Sequence, residues 1–134
     1  MSESSKAAKH GVSVLGKKNP NLPFHPAVRA GDFIFVSGQV AKDADGNMCV
    51  GNIEDETRWT IECIQRILKD GDADLSDVVQ VTTYLDDTRN FGRYNKVFGE
   101  YFKDATLART TVEARAVIDC KIEMSAVAYK PPSK

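Results

Sequence analysis

The amino-acid sequence predicts an α+β fold in which one mixed sheet of six strands carries two helices on one face. Two observations predict this fold. Short segments alternate apolar and polar residues, as strands do, and two longer segments repeat their apolar residues at helical spacing. The segments follow one another as β-β-β-α-β-α-β-β, and strands with interposed helices favour a single mixed sheet.

Three short strands are expected before the first helix, over residues 12–15, 25–29 and 33–37. A loop with two prolines separates the first two strands, since proline disfavours regular structure. The third segment is strongly apolar, which is typical of a strand buried on both faces. It ends at Ser37-Gly38, where a glycine permits another group to approach the backbone closely.

Two helices are predicted over residues 53–69 and 89–103. The first has an apolar stripe from Ile53 to Leu68, with acidic residues in its first turn and basic residues in its last, as the helix dipole favours. A strand rich in β-branched residues is expected between the helices, at 78–85. The second helix has an aromatic stripe that is typical of core packing. This stripe consists of Phe91, Tyr94, Phe98, Tyr101 and Phe102.

The last two segments, 108–115 and 121–128, alternate along their length, and the short connection at 117–120 predicts an antiparallel hairpin. We expect one small apolar side of this pair to face the core and one charged side to meet water or a partner, because an unpaired buried guanidinium is strongly disfavoured. In the first strand the apolar side consists of Thr110, Val112, Ala114 and Ala116, and the charged side of Arg109, Thr111, Glu113 and Arg115.

The sheet face without helices also points to a partner. A sheet face of this kind is normally hidden by oligomerisation. That face is expected to hold either the series Arg109, Thr111, Glu113 and Arg115 or its partner. An interface or a ligand site is expected where the charged side lies.

Size, charge and composition limit the class of protein. The 134 residues suit one domain, expected at 11–131 after a flexible tail at 1–10. A net charge of −1 gives no support for nucleic-acid binding, and no apolar run approaches the roughly 20 residues of a membrane span. The polar first residues lack the apolar centre of a signal peptide, so a cytoplasmic protein is expected. Three scattered cysteines and two histidines predict neither a disulfide framework nor a zinc site.

Candidate site residues remain after these exclusions. They are polar groups near predicted strand ends: Ser37, Gly38, Asn95, Arg109, Thr111 and Glu123. Each also has a structural interpretation, since Ser37 would simply end a strand and Asn95 would bond a neighbouring turn. From the pattern alone, a structural role for Arg109 is favoured over ligand binding.

Several motifs change that balance. The most specific is Ala-Arg-Thr-Thr-Val-Glu at 108–113, continued by Lys-Ile-Glu at 121–123. Supporting motifs are Phe-Val-Ser-Gly-Gln at 35–39, Asp-Val-Val-Gln-Val-Thr at 77–82 and Tyr-Asn-Lys-Val-Phe at 94–98. With these motifs the chain resembles the Rid family, the YjgF-like imine deaminases, over nearly its whole length, from about Leu22 to Ala128.

The resemblance implies a chorismate-mutase-like fold and a homotrimer whose sheets form a central barrel, with three sites between subunits. It implies that Arg109 holds a substrate carboxylate and that Glu123 positions or activates water. Ser37 and Gly38 would line the pocket with Asn95 near it, and neither a cofactor nor a metal is implied. The chain departs from the family pattern at Val117-Ile118, where a Leu-Pro pair is usual, and at two further positions. Phe24 stands where a tyrosine is frequent and Thr111 where a cysteine is frequent. We expect both in the substrate-binding set.

The implied activity is hydrolytic deamination of small 2-imino or 2-enamino carboxylic acids, which releases ammonia and a 2-keto acid. Arginine suits such substrates because its planar fork grips a carboxylate with two parallel bonds. One alternative is a 2-aminomuconate deaminase of aromatic catabolism, in which Arg115 or His25 would meet the second carboxylate. The other is a trimer without catalysis that binds keto acids or acts in regulation or as a chaperone. Neither partner class, nucleic acid or membrane, is expected.

Overall fold

Strands and helices follow one another in the predicted order. In the described residues, 9–133, the strands are β1 (Val12–Leu15), β2 (Ala27–Ala30), β3 (Phe33–Gln39), β4 (Val78–Leu85), β5 (Ala108–Glu113) and β6 (Ile122–Tyr129). The helices are α1 (Ile53–Lys69) and α2 (Phe91–Tyr101) in this computed structural model. The predicted flexible tail at 1–10 lies almost wholly outside the described residues. Neither helix has the length and apolar character that a membrane crossing requires.

All six strands form one mixed sheet in the order β1-β2-β3-β6-β4-β5. Strands β4 and β5 pair in parallel, and the other neighbours pair antiparallel. The predicted single mixed sheet with two helices is therefore confirmed. The predicted hairpin of the last two strands is wrong, because β6 lies between β3 and β4 and does not pair with β5. In that position β6 satisfies backbone groups of two strands at once, which a two-strand hairpin cannot do.

The core lies between the sheet and the two helices. Helix α1 is capped by Asn52, whose side chain accepts a hydrogen bond from the Asp55 amide at 2.8 Å. Its apolar stripe packs against buried residues of β3 and β6. Fully buried members of this layer include Ile53, Ile61, Ile64, Leu68, Ile34 and Met124. Each such side chain stabilises the fold by about 1.5–3 kcal/mol relative to exposure.

Strand β3 has one buried side and one exposed side. Ile34 and Val36 are buried towards the helices, whereas Phe33 and Phe35 are 40% and 46% exposed. The prediction that both faces of this strand are buried is therefore wrong, since one face is exposed in the single chain. Phe33 also meets the ring of Tyr129 on β6 edge to face, with centroids 5.2 Å apart. The face of the sheet away from the helices, called the open face below, thus carries clustered aromatic residues.

A buried carboxylate ties the start of β6 to the start of α1. Only 2% of the Glu56 side chain is exposed. Its Oε1 accepts a hydrogen bond from the Lys121 amide at 3.0 Å. Its Oε2 accepts from the Gly51 amide at 3.2 Å and lies 3.3 Å from the Lys121 ammonium nitrogen. These bonds fix Lys121, which directly precedes β6 and lies two residues before Glu123.

Candidate functional site

Arg109 lies on β5 beside Val81 of β4, and its side chain faces α2. The guanidinium carbon lies 4.7 Å from the ring centroid of Phe98, 5.2 Å from that of Tyr94 and 5.6 Å from that of Phe91. Cation–π attraction to three rings is worth about 0.5–2 kcal/mol each, depending on solvent exposure. This group of four residues is called the arginine cluster below.

The orientation of β5 is the reverse of the expected one. Arg109 and Thr111 point to the helix side, whereas Val112 is 42% exposed on the open face. The expectation that the Thr110 and Val112 side faces the core is therefore wrong. The physical reason is the aromatic surface of α2, which accommodates a cation where an aliphatic surface would not. The open face consequently holds the Thr110 side of this strand.

The three rings come from one stripe of α2. Positions 91, 94 and 98 lie on one side of a helix because side chains three and four apart are neighbours. Tyr94 and Phe98 are buried as predicted, but Phe91 is 42% exposed, so the prediction that the whole stripe is core is wrong there. Sequence reasoning assigned these rings to packing alone. The sequence did contain a sign of this contact, namely an aromatic stripe on a helix that directly precedes a strand with an arginine.

The guanidinium of Arg109 has no carboxylate partner in the part of the chain that the structure describes. None of the ion pairs within 9–133 includes it. Its contacts are with ring faces, which leave its N–H groups without a charged acceptor. A planar guanidinium in this state is suited to bind a carboxylate through two parallel hydrogen bonds.

Two other predicted residues lie near this cluster. Thr111 is on the same side of β5 as Arg109, and its Oγ1 lies 3.4 Å from the hydroxyl of Tyr94. Asn95 follows Tyr94 on α2 and is exposed to solvent. The structure thus brings Thr111 to the arginine cluster and leaves Asn95 on the helix surface beside it.

Glu123 lies on β6 with its side chain on the open face, next to Tyr84 of β4. Its carboxylate lies directly over Gly38. A Cβ placed on Gly38 would be 2.1 Å from Glu123 Oε2, so a side chain at this position would have to displace the carboxylate. The close approach that the sequence predicted at Gly38 is therefore made by Glu123.

A β-bulge between Val36 and Gln39 presents Ser37 and Gly38 together. The Ser37 hydroxyl donates a hydrogen bond to the His25 carbonyl at 2.7 Å. Ser37 also lines a pocket of about 300 Å³. The other lining residues are Phe24, His25, Val28, Phe35 and Val36. Phe24 and Ser37 thus share a pocket, Gly38 follows Ser37, and Glu123 lies over Gly38. These four predicted residues are called the glutamate cluster below.

The two clusters do not meet within one chain. Arg109 shares its face with the buried Val81, whereas Glu123 shares the open face with Tyr84. Strand β4 lies between their strands, which places β5 and β6 about 10 Å apart. A ligand held by Arg109 of one chain is therefore out of reach of Glu123 of the same chain.

Metal and thiol chemistry receive little support from the described residues. Between residues 9 and 133, no group of three His, Cys, Asp or Glu side chains is placed to hold a metal ion. The three cysteines are free thiols. Burial raises the pKa of Cys63, and its sulfur lies 3.2 Å from the carbonyl oxygen of Lys42.

Comparison with known proteins gives a consistent result. The model of the family described as endoribonuclease L-PSP matches residues 16–130. A RutC family protein of Pyrococcus abyssi is 44% identical over 125 residues, which cover 92% of this chain and 98% of that one. The crystal structure of a putative endoribonuclease of Thermotoga maritima, 33% identical, covers 87% of this chain and 96% of its own with a TM-score of 0.81. The YjgF gene product of Escherichia coli, 27% identical, covers 80% and 87% with a TM-score of 0.75.

Proposed function

Because this chain belongs to the endoribonuclease L-PSP family, whose members also carry the names RutC, YjgF and Rid, we propose that it is a hydrolytic deaminase of small 2-imino or 2-enamino carboxylic acids. The products are ammonia and a 2-keto acid. The observation that carries the proposal is the guanidinium of Arg109, held between aromatic rings with no carboxylate partner among residues 9–133.

In this proposal Arg109 binds the substrate carboxylate. The rings of α2 limit the motion of the guanidinium, so less side-chain entropy is lost on binding. Each charge-assisted hydrogen bond contributes about 1.5–3 kcal/mol. Because the carboxylate is bonded to the reacting carbon, fixing it also fixes the carbon–nitrogen double bond.

Glu123 would act on water at that carbon. It accepts a proton from the water while the water oxygen bonds to the imine carbon, and it returns the proton to the nitrogen. Glu123 then accepts the proton of the new hydroxyl group and passes it to the nitrogen. The carbon–nitrogen bond breaks, ammonia leaves and the carbonyl of the keto acid forms. The carboxylate of Glu123 lies over Gly38, the residue that follows Ser37, and Ser37 and Phe24 line a pocket with room for a small substrate.

A homotrimer with sites between subunits is part of the proposal. Two observations support it: the arginine and glutamate clusters lie on opposite faces of one sheet, and the open face carries exposed apolar side chains. Those side chains include Phe33, Phe35, Tyr84, Val112 and Tyr129. Exposed apolar surface of this kind marks an interface, and a second chain would supply the missing cluster.

The test measures keto acid formation from imines that an amino acid oxidase produces in situ. Wild type is expected to accelerate it above the spontaneous rate, and Arg109→Ala is expected to lose that acceleration. Arg93→Ala is the matched control, because Arg93 is an exposed arginine of α2 that bonds Asn90. Equal rates of keto acid formation for wild type and Arg109→Ala, with every imine tested, would overturn the proposal. Melting shifts with keto acids but no turnover would favour a binding protein instead.

The family description names an endoribonuclease, so RNA belongs in the same assay. Cleavage of single-stranded RNA by a preparation that does not hydrolyse any imine would contradict the proposed activity. Imine hydrolysis that depends on Arg109, with intact RNA, is the expected result.

A further inference from the structure

Three hydroxyl groups form a line behind the arginine cluster. The Tyr94 hydroxyl lies 2.7 Å from Thr83 Oγ1 and 3.4 Å from Thr111 Oγ1. Thr83 and Thr111 are neighbours across the parallel pair of β4 and β5. The ring of the same tyrosine faces the guanidinium of Arg109, so one side chain touches both the cation and the hydroxyl line.

The inner two hydroxyls lie in the core. Thr83 and Tyr94 are 0% exposed. Valine and phenylalanine would fill nearly the same space without a polar group, and replacing both partners of a buried bond by apolar groups is close to neutral for stability. Packing alone therefore does not require this pair. The pair leads from the core to Thr111, which is half-buried on the side of β5 that carries Arg109.

The protons of the line have a preferred direction. If Thr111 donated to Tyr94 and Tyr94 to Thr83, the Thr83 proton would have no acceptor among the described residues, since Thr83 contacts no other hydrogen-bonding group there. A buried donor without an acceptor is costly. In the opposite direction Thr83 donates to Tyr94 and Tyr94 donates to Thr111. Both buried protons are then used, and the proton of Thr111 is free to point outwards.

We infer that Tyr94 is a positioning residue, which donates to Thr111 and so leaves the Thr111 proton for the carboxylate bound by Arg109, an inference that rests on the proposed function. Arg109 and Thr111 lie two residues apart on one side of the strand, about 7 Å along it, so both reach the same small anion. The ligand class is a short carboxylic acid with an oxygen acceptor facing Thr111, as in an imino acid or its 2-oxo product.

The test uses pyruvate as the probe and measures its Kd by calorimetric or NMR titration of the full chain. Thr111→Val is expected to raise the Kd about tenfold, which is the loss of one hydrogen bond to a charged group. Tyr94→Phe is expected to raise it severalfold, although the Tyr94 hydroxyl does not reach the ligand. Thr83→Val is the matched control and is expected to bind as wild type does, because the buried Tyr94 proton then has Thr111 as its only acceptor among the described residues.

A double variant separates positioning from a general structural effect. The pair Tyr94→Phe and Thr111→Val is expected to bind no more weakly than Thr111→Val alone, because both act through one donor. Urea unfolding of each variant checks that the chain is folded. Wild-type affinity in Tyr94→Phe, or additive effects in the pair, would overturn the inference while Arg109→Ala still lost binding. Pyruvate binding that is absent, or unchanged in Arg109→Ala, would overturn the proposed carboxylate site together with this inference.

Discussion

Adding one methyl group at Gly38 is expected to displace the proposed catalytic carboxylate without unfolding the chain. A Cβ there would lie 2.1 Å from Glu123 Oε2, whereas real Cβ contacts are at least 3.0 Å, so the oxygen must move by about 0.9 Å. A misplacement of about 1 Å at a reacting group costs roughly 100-fold in rate. The carboxylate is the end of a flexible side chain, so the cost falls on its position and not on the backbone.

The stability of Gly38→Ala is expected to be unchanged or slightly higher. Gly38 has no positive φ, and alanine reduces the entropy of the unfolded chain by about 0.4–1 kcal/mol. The assay is kcat/KM for imine hydrolysis, paired with urea unfolding. Gly99→Ala is the matched control, because a Cβ there meets nothing within 4 Å and should leave the rate unchanged. Wild-type kcat/KM in folded Gly38→Ala would refute the role given to Glu123.

Three further predictions concern stability and ionisation. Glu56→Ala leaves two partly buried backbone amides, those of Gly51 and Lys121, without their acceptor. The free energy of unfolding should fall by about 2–4 kcal/mol in urea titration, and a loss below about 1 kcal/mol would contradict the ties to β6. Burial and the hydrogen bond to Glu62 raise the pKa of Tyr101 to about 12, so its contribution to stability is complete below pH 10.0 and is lost as the pH rises through 12. Phenolate absorbance should show one tyrosine that titrates near 12, and this signal should vanish in Tyr101→Phe. Hydrogen bonds from Arg89 lower the pKa of Asp87 to about 2. The contribution of the ionised Asp87 carboxylate to stability is therefore present above pH 3.8 and is lost as the pH falls towards 2. Carboxyl NMR titration should show the pKa of Asp87 rising in Arg89→Ala, and an unchanged value would contradict this origin.

Local pattern predicted the elements well, because periodicity is a property of the chain itself. The predicted bounds of α1 and β4 coincide with the observed ones, and the second strand was displaced by about two residues. Pairing was not predictable in the same way. The short connection between β5 and β6 favoured a hairpin, but the position of β6 depends on which strands need a partner across the whole sheet.

For the candidate site, too, the local pattern predicted some features and the whole fold decided the others. Alternation along β5 separates Arg109 from Val112, but it does not say which side meets the helices. That choice depends on the aromatic stripe of α2, which is distant in sequence from β5. The motifs at 35–39 and 121–123 each indicated one part of the glutamate cluster. Only the fold brings Gly38 and Glu123 into contact and leaves Arg109 on the other face of the sheet.

Mixing two inactive variants tests most directly whether neighbouring chains share one site. Arg109→Ala and Glu123→Ala would be produced together with different tags, and assemblies that contain both would be purified. If each site takes its arginine from one chain and its glutamate from the next, every mixed trimer contains one complete site of three. The purified mixed assemblies should therefore recover about one third of wild-type imine hydrolysis. Mixed assemblies as inactive as each variant alone would contradict a site shared between chains.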